Sequence, residues 1–270
     1  MDVSFFDVER VIAEKNPKLL KRLPGFVLSY LKKILHQDEI NAIVRENASL
    51  KNEAFCREII QRFNLKLLVS GLENVPPTGG LIMVGNHPLG GMDALTMVDA
   101  LSHHRTDIKF IVNDILLNLK NLEDLFVGVN KHGGNAASSL QQVDDVFSGD
   151  KMVFIFPAGL VSRKIHGKVE DLHWKKTFIT RAKKYEKSVI PVFIDGKLSN
   201  FFYGLARFRQ FLGIKANIEM LFLINELFKQ KNQTIRITFG KPLPHTTFDG
   251  SKTDQNWADW VKKEVYKLQA

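Results

Sequence analysis

Cysteine is almost absent from this chain: Cys56 is the single one in 270 residues. A lone thiol closes no intramolecular disulfide, and no Cys/His cluster has the spacing of a zinc site. A reducing, cytoplasmic setting fits that usage. Long apolar runs are missing too. None reaches the roughly 18 unbroken apolar residues of a membrane-spanning helix, and the longest, such as Met220-Leu-Phe-Leu-Ile224, are core-sized. The opening MDVSFFDVERVIAEKNP carries acids early and lacks the apolar centre of a signal peptide. The expectation is a protein that is soluble or peripheral to a membrane. No zinc finger, RNP aromatic signature or helix-turn-helix pattern is present, which sets nucleic acid aside. No Gly-x-Ser-x-Gly elbow supports a serine hydrolase. Internal repeats and low-complexity segments are also missing.

What is present is ample core material, with 44% hydrophobic residues. The net charge of +9 asks for an anionic partner. With nucleic acid set aside, an anionic lipid surface or an acidic substrate remains.

Residues 1–64 read as an N-terminal helical segment. Phe26, Leu28, Leu31, Ile34 and Leu35 recur near helical spacing after the Pro24-Gly25 break. From Leu65 the pattern changes to short apolar runs at Lys66–Val69, Leu81–Val84, Ile108–Val112, Met152–Phe156, Val189–Ile194 and Ile235–Phe239. Amphipathic stretches separate them, with helices expected near 93–104, 136–147, 171–186, 217–230 and 254–268. This alternation predicts an α/β domain over 65–270, with a mixed, largely parallel sheet covered by helices on both faces.

The richest segment for chemistry is Leu81-Ile-Met-Val-Gly-Asn-His-Pro-Leu-Gly-Gly-Met-Asp93. A buried strand ends in a turn carrying His87, and Asp93 opens an amphipathic helix. Ligands of open α/β sheets bind at the carboxyl ends of strands, where this histidine falls. A carboxylate across one tight turn from an imidazole fixes its tautomer and stabilises the imidazolium. Asp93 also stands where a helix N-cap belongs, and at this point both readings are open.

Asn86-His87 through Asp93 resembles the signature histidine–aspartate motif of the glycerolipid acyltransferase family. The usual spacer there has four residues. This sequence has five and is similar to a haemolysin-like bacterial branch linked to aminolipid acylation. Met152-Val-Phe-Ile-Phe-Pro-Ala-Gly-Leu-Val-Ser-Arg-Lys164 resembles the family's third block, with Ala158 in place of its glutamate and Arg163 two positions late. Gly128–Gly134, with Lys131, stands in the place of the second block. Val189-Ile-Pro-Val192 stands in that of the fourth, either an acyl-binding wall or plain core. The resemblance implies His87 as general base, with Asp93 as its orienting partner. It also implies that Arg163, Lys164, Gly159 and Lys131 hold the acceptor, and that acyl-CoA or acyl carrier protein is the donor, with neither metal nor cofactor. The implied acceptors are lysophosphatidate or a lyso-aminolipid such as a lyso-ornithine or lyso-glycine lipid. Two rivals are a non-catalytic membrane-binding protein of the same fold and a thioester hydrolase.

Phe201, Leu205, Phe208 and Leu212 form a helical stripe, widened by Phe202 and Phe211 and accompanied by Arg207, Arg209 and Lys215. Either this stripe faces the core or it lies in an anionic membrane interface. With the family resemblance, the second reading predicts a peripheral protein on the cytoplasmic face of the inner membrane.

Overall fold

The computed structural model of the chain describes residues 6–15, 17–112, 119–128 and 136–269. Helices α1 (Val8–Lys15), α2 (Pro17–Arg22), α3 (Gly25–Ile34) and α4 (Gln37–Glu46) lead in. Helix α5 (Asn52–Arg62) turns Phe55, Cys56, Ile59 and Ile60 inward, into the core that also covers the sheet. Burial pushes the Cys56 thiol well above its ordinary pKa, so it behaves as a small inert hydrophobe.

The strands are β1 (Lys66–Ser70), β2 (Leu81–Gly85), β3 (Ile108–Val112), β4 (Phe126–Gly128), β5 (Met152–Ile155), β6 (Arg163–Ile165), β7 (Lys168–Glu170), β8 (Val189–Asp195) and β9 (Thr234–Phe239). Between them run α6 (Gly91–Leu101), α7 (Ala136–Ser148), α8 (Thr177–Lys184), α9 (Asn200–Phe211) and α10 (Leu223–Phe228); α11 (Asp254–Lys267) closes the chain. Seven strands form one sheet in the order β1-β9-β8-β2-β5-β3-β4, while β6 and β7 make a separate hairpin. Every neighbouring pair in the large sheet is parallel except β8 and β9. The mixed, largely parallel sheet expected from the sequence is therefore present.

Side-chain alternation divides the core in two. Leu81 and Met83 of β2, and Ile190, Val192 and Ile194 of β8, pack with α5, α6 and α9 on one face. Ile82 and Val84, and Val189 and Phe193, pack with α7, α8 and α11 on the other. A one-residue slip would swap the faces. Each misplaced side chain would forfeit about 1.5–3 kcal/mol of burial. Val189, Ile190 and Val192 are fully buried here, so the fourth block is plain core.

Two expected helices differ. The one placed at 171–186 begins only at Thr177. Asp171 and Trp174 instead turn inward, the indole donating to the carboxylate at 2.8 Å. The one placed at 217–230 is a 3-10 turn over Ile218–Phe222 followed by α10, with Glu219 of the turn held between two buried arginines. The last helix begins as expected, with the Thr253 side chain accepting from the Asn256 amide.

Candidate active site

Strands β2 and β5 are parallel neighbours, so the turns that follow them meet at one edge of the sheet. At the end of β2, Asn86 extends the pairing with its side chain. It donates to the Ile194 carbonyl at 2.8 Å and accepts from the Ile194 amide at 2.7 Å. His87 follows at a fixed height above the edge. Its amide donates to Asp171 at 3.1 Å, and its carbonyl accepts from the Ser162 amide at 2.8 Å. The turn after β2 is thus stitched to the loop after β5 and to the segment after β7.

The imidazole Nδ1 lies 2.8 Å from Asp93 Oδ2, and the ring stacks on Phe156 with centroids 4.0 Å apart. Holding Nδ1 against a carboxylate leaves Nε2 as the nitrogen for chemistry. The five-residue spacer closes through Gly90, at φ 69° and ψ −131°, a conformation open essentially to glycine. Gly90 is also the N-cap of α6. Asp93 sits in the helix's first turn, so the capping alternative is not the one adopted. Its Oδ2 also accepts the Leu89 amide at 2.9 Å, while Oδ1 is buried without a hydrogen-bond partner.

Asp93 is fully buried. Burial pushes its pKa up, opposed by the hydrogen bond from His87 and by the Leu89 amide. The α6 N-terminus also favours its charge. Asp171 is raised for the same reason, opposed by Ser162, the His87 amide and Trp174.

The basic residues fall out differently. Arg163 does not lie open as a grip for an acceptor anion. It is 4% exposed, and its guanidinium donates to the Val161 carbonyl at 2.6 Å and to Glu219 at 2.8 Å. Alternation along β6 turns it inward, against the Phe202 ring. Lys164, the next residue, is half-buried and pairs in register with Val169 of β7. Gly159, at φ 67°, makes the tight turn after β5, its amide bonded to the Phe156 carbonyl at 2.9 Å. Lys131 lies outside the described residues. Arg209 is likewise withdrawn, bonded to Glu219 at 2.8 Å. Asp171, Ser162 and Glu219 escaped the sequence reading, since each acts through partners distant in the chain.

A buried carboxylate holding a loop imidazole at the carboxyl edge of an α/β sheet is an arrangement able to take a proton from a hydroxyl or from water. An acyltransferase family model matches residues 10–270, and the chain belongs to that family. It is 44% identical to a lyso-glycine lipid O-acyltransferase of Bacteroides thetaiotaomicron over 263 residues, covering 97% of each chain. It is 39% identical to a lyso-glycine lipid O-acyltransferase of Phocaeicola vulgatus over 267 residues, covering 98% of this chain and 96% of that one. The fold is similar to the 1-acyl-sn-glycerophosphate (LPA) acyltransferase of Thermotoga maritima, with a TM-score of 0.52 and 18% identity over 89% of this chain and 95% of that one.

Proposed function

We propose that this lyso-lipid O-acyltransferase moves a fatty acyl group from an acyl thioester to the free hydroxyl of a lyso-glycine lipid. The carrying observation is the 2.8 Å contact between His87 Nδ1 and the buried Asp93 carboxylate. His87 Nε2 takes the acceptor's hydroxyl proton as that oxygen attacks the thioester carbonyl. The tetrahedral oxyanion then collapses, the C–S bond breaks, and the imidazolium returns the proton to the departing thiolate. Asp93 holds the ring in the required tautomer and balances its transient charge. A positioned general base of this kind contributes about 10² to 10⁴-fold in rate. Acyl-CoA or acyl carrier protein supplies the thioester.

One observation favours the glycine lipid over lysophosphatidate: both relatives carry that name. The place of work is the cytoplasmic face of the inner membrane, with the protein attached peripherally. Among the described residues no helix is long and apolar enough to cross a membrane.

The test is incubation with a labelled acyl thioester and a panel of lyso-lipids, with products resolved by mass. The proposal expects an O-acylated glycine lipid. Sole acylation of lysophosphatidate would move the assignment to the phosphate lipid, and release of free fatty acid alone would make the protein a hydrolase.

A further inference from the structure

Helix α9 has two unlike faces. Phe202, Tyr203 and Ala206 are buried, so part of the expected stripe is core. Phe201, Phe208, Phe211 and Leu212 point outward, Phe211 being 86% exposed. The chain continues through Ile214 to Leu221 on the 3-10 turn, both exposed. Every residue from Gln210 to Asn217 is exposed. Apolar surface concentrated in this way marks an interaction site.

Charge identifies the partner. Between Asn200 and Ile218 the sequence contains no Asp or Glu, and its exposed Arg207 and Lys215 are cations. The first acid, Glu219, is fully buried between Arg163 and Arg209. The outward face is therefore aromatic and aliphatic with a cationic fringe, matching a surface that is anionic above and apolar below. A 12-residue helix is about 18 Å long, enough to lie in a bilayer interface and too short to cross it.

The same unit touches the site. A side chain added at Gly90 would meet Leu223 at 3.6 Å, and one added at Gly91 would meet Leu227 at 3.5 Å. Helix α10, directly after the 3-10 turn, thus lies on the glycine pair between His87 and Asp93. The buried Arg163–Glu219–Arg209 cluster ties that turn to α9 and to β6.

We propose that the outward face of α9 and the following turn, Phe201 to Leu221, is the surface by which the protein seats on an anionic bilayer. The Glu219 cluster holds that surface in register with the His87 loop. The inference deepens the lyso-lipid reading, since it gives the acceptor its route, but its test requires no turnover.

The full chain is co-sedimented with phosphatidylcholine vesicles, either alone or with about one-third phosphatidylglycerol. Wild type is expected to prefer the anionic vesicles. Phe208→Ser, Phe211→Ser should weaken binding at least about tenfold at every salt concentration, because buried phenylalanine area is lost. Arg207→Gln, Lys215→Gln should weaken it about fivefold per charge at low salt and leave binding in high salt unchanged. Circular dichroism melts verify folding, and Phe211→Ser alone serves if the double variant unfolds. Folded phenylalanine variants that sediment like wild type would overturn the proposal, as would equal wild-type binding to neutral vesicles. A self-associating wild type whose serine variant is monomeric would assign the face to a second copy instead. Both variants should still acylate detergent-dispersed lyso-lipid. If wild type fails on every acceptor but binds vesicles, the catalytic reading fails and the docking surface stands.

Discussion

Asp171 accepts the main-chain amide of His87 across 84 positions of sequence, at 3.1 Å. The same oxygen accepts the Ser162 hydroxyl at 2.5 Å, and the other accepts the Trp174 indole. The carboxylate does not touch the imidazole's working nitrogen. It fixes the backbone from which the ring projects, and misplacement by about 1 Å can cost about 10²-fold in rate. Asp171→Ala should therefore lower kcat by about 10 to 100-fold with little change in acceptor KM. Asp171→Asn should recover part of that rate, because an amide oxygen still accepts from His87. Its NH₂ would face the Trp174 donor and destabilise the fold by about 1–3 kcal/mol. Full steady-state kinetics with a denaturant melt check both, and unchanged kcat in Asp171→Ala would remove the positioning role.

The dyad itself separates chemistry from stability. His87→Ala should abolish transfer in a folded protein, because the ring is partly exposed and contributes mainly its proton transfer. Asp93→Asn should reduce kcat by up to about 10⁴-fold. Its melting temperature should stay near wild type, since the substitution also removes a fully buried charge. Matching losses of rate and stability would mean that Asp93 serves the helix rather than the histidine.

Burial raises the pKa of both Asp93 and Asp171 above the ordinary carboxylate range. A folded pKa above the unfolded value gives stability that is full below the unfolded pKa and is lost as pH rises through the folded one. Relative to an Asp93→Asn variant, wild type should lose stability across that window as pH rises. Activity should run the opposite way, falling as acid protonates Asp93 and removes the charge that holds the ring. Denaturant melts and kcat/KM taken over the same pH series test the opposed slopes.

Arg163→Ala tests a different consequence. The exposed grip expected from sequence would raise acceptor KM and spare stability. The buried ion pair with Glu219 predicts the reverse: a loss of about 3 kcal/mol, the low end for breaking a buried pair, because Arg209 still partners the glutamate. Denaturant unfolding beside acceptor KM distinguishes the two.

These contrasts show where the sequence is readable. Five of the six longer strands carry a contiguous apolar run, β9 alternates Ile235, Ile237 and Phe239 with polar residues, and the His87–Asp93 pair is closed by one turn, so local pattern suffices. Strand β4 and the β6–β7 hairpin have three-residue strands, too short for a period to register. The direction of Arg163 depends on a glutamate 56 positions away, and Asp171 on a backbone amide no motif encodes. Phe201 to Leu212 reads as amphipathic in either environment. Only packing shows that Phe202 and Arg209 turn inward while Phe208 and Phe211 turn out.

The extra residue in the histidine–aspartate spacer gives the last prediction. Gly90 absorbs it by adopting φ 69° and ψ −131°, whereas Gly91 is the first residue of α6 and helical. A methyl group at either position meets only ordinary contacts, at 3.5 Å or beyond, so crowding does not distinguish the two glycines. Backbone conformation does. Gly90→Ala should cost about 1–3 kcal/mol in strain, or relax the turn and pull His87 Nδ1 away from Asp93, with a fall in kcat. Gly91→Ala, compatible with the helix, should be neutral or slightly stabilising. Paired melts and kcat measurements on the two alanine variants decide it, and equal behaviour at both positions would show that the spacer is not held by Gly90.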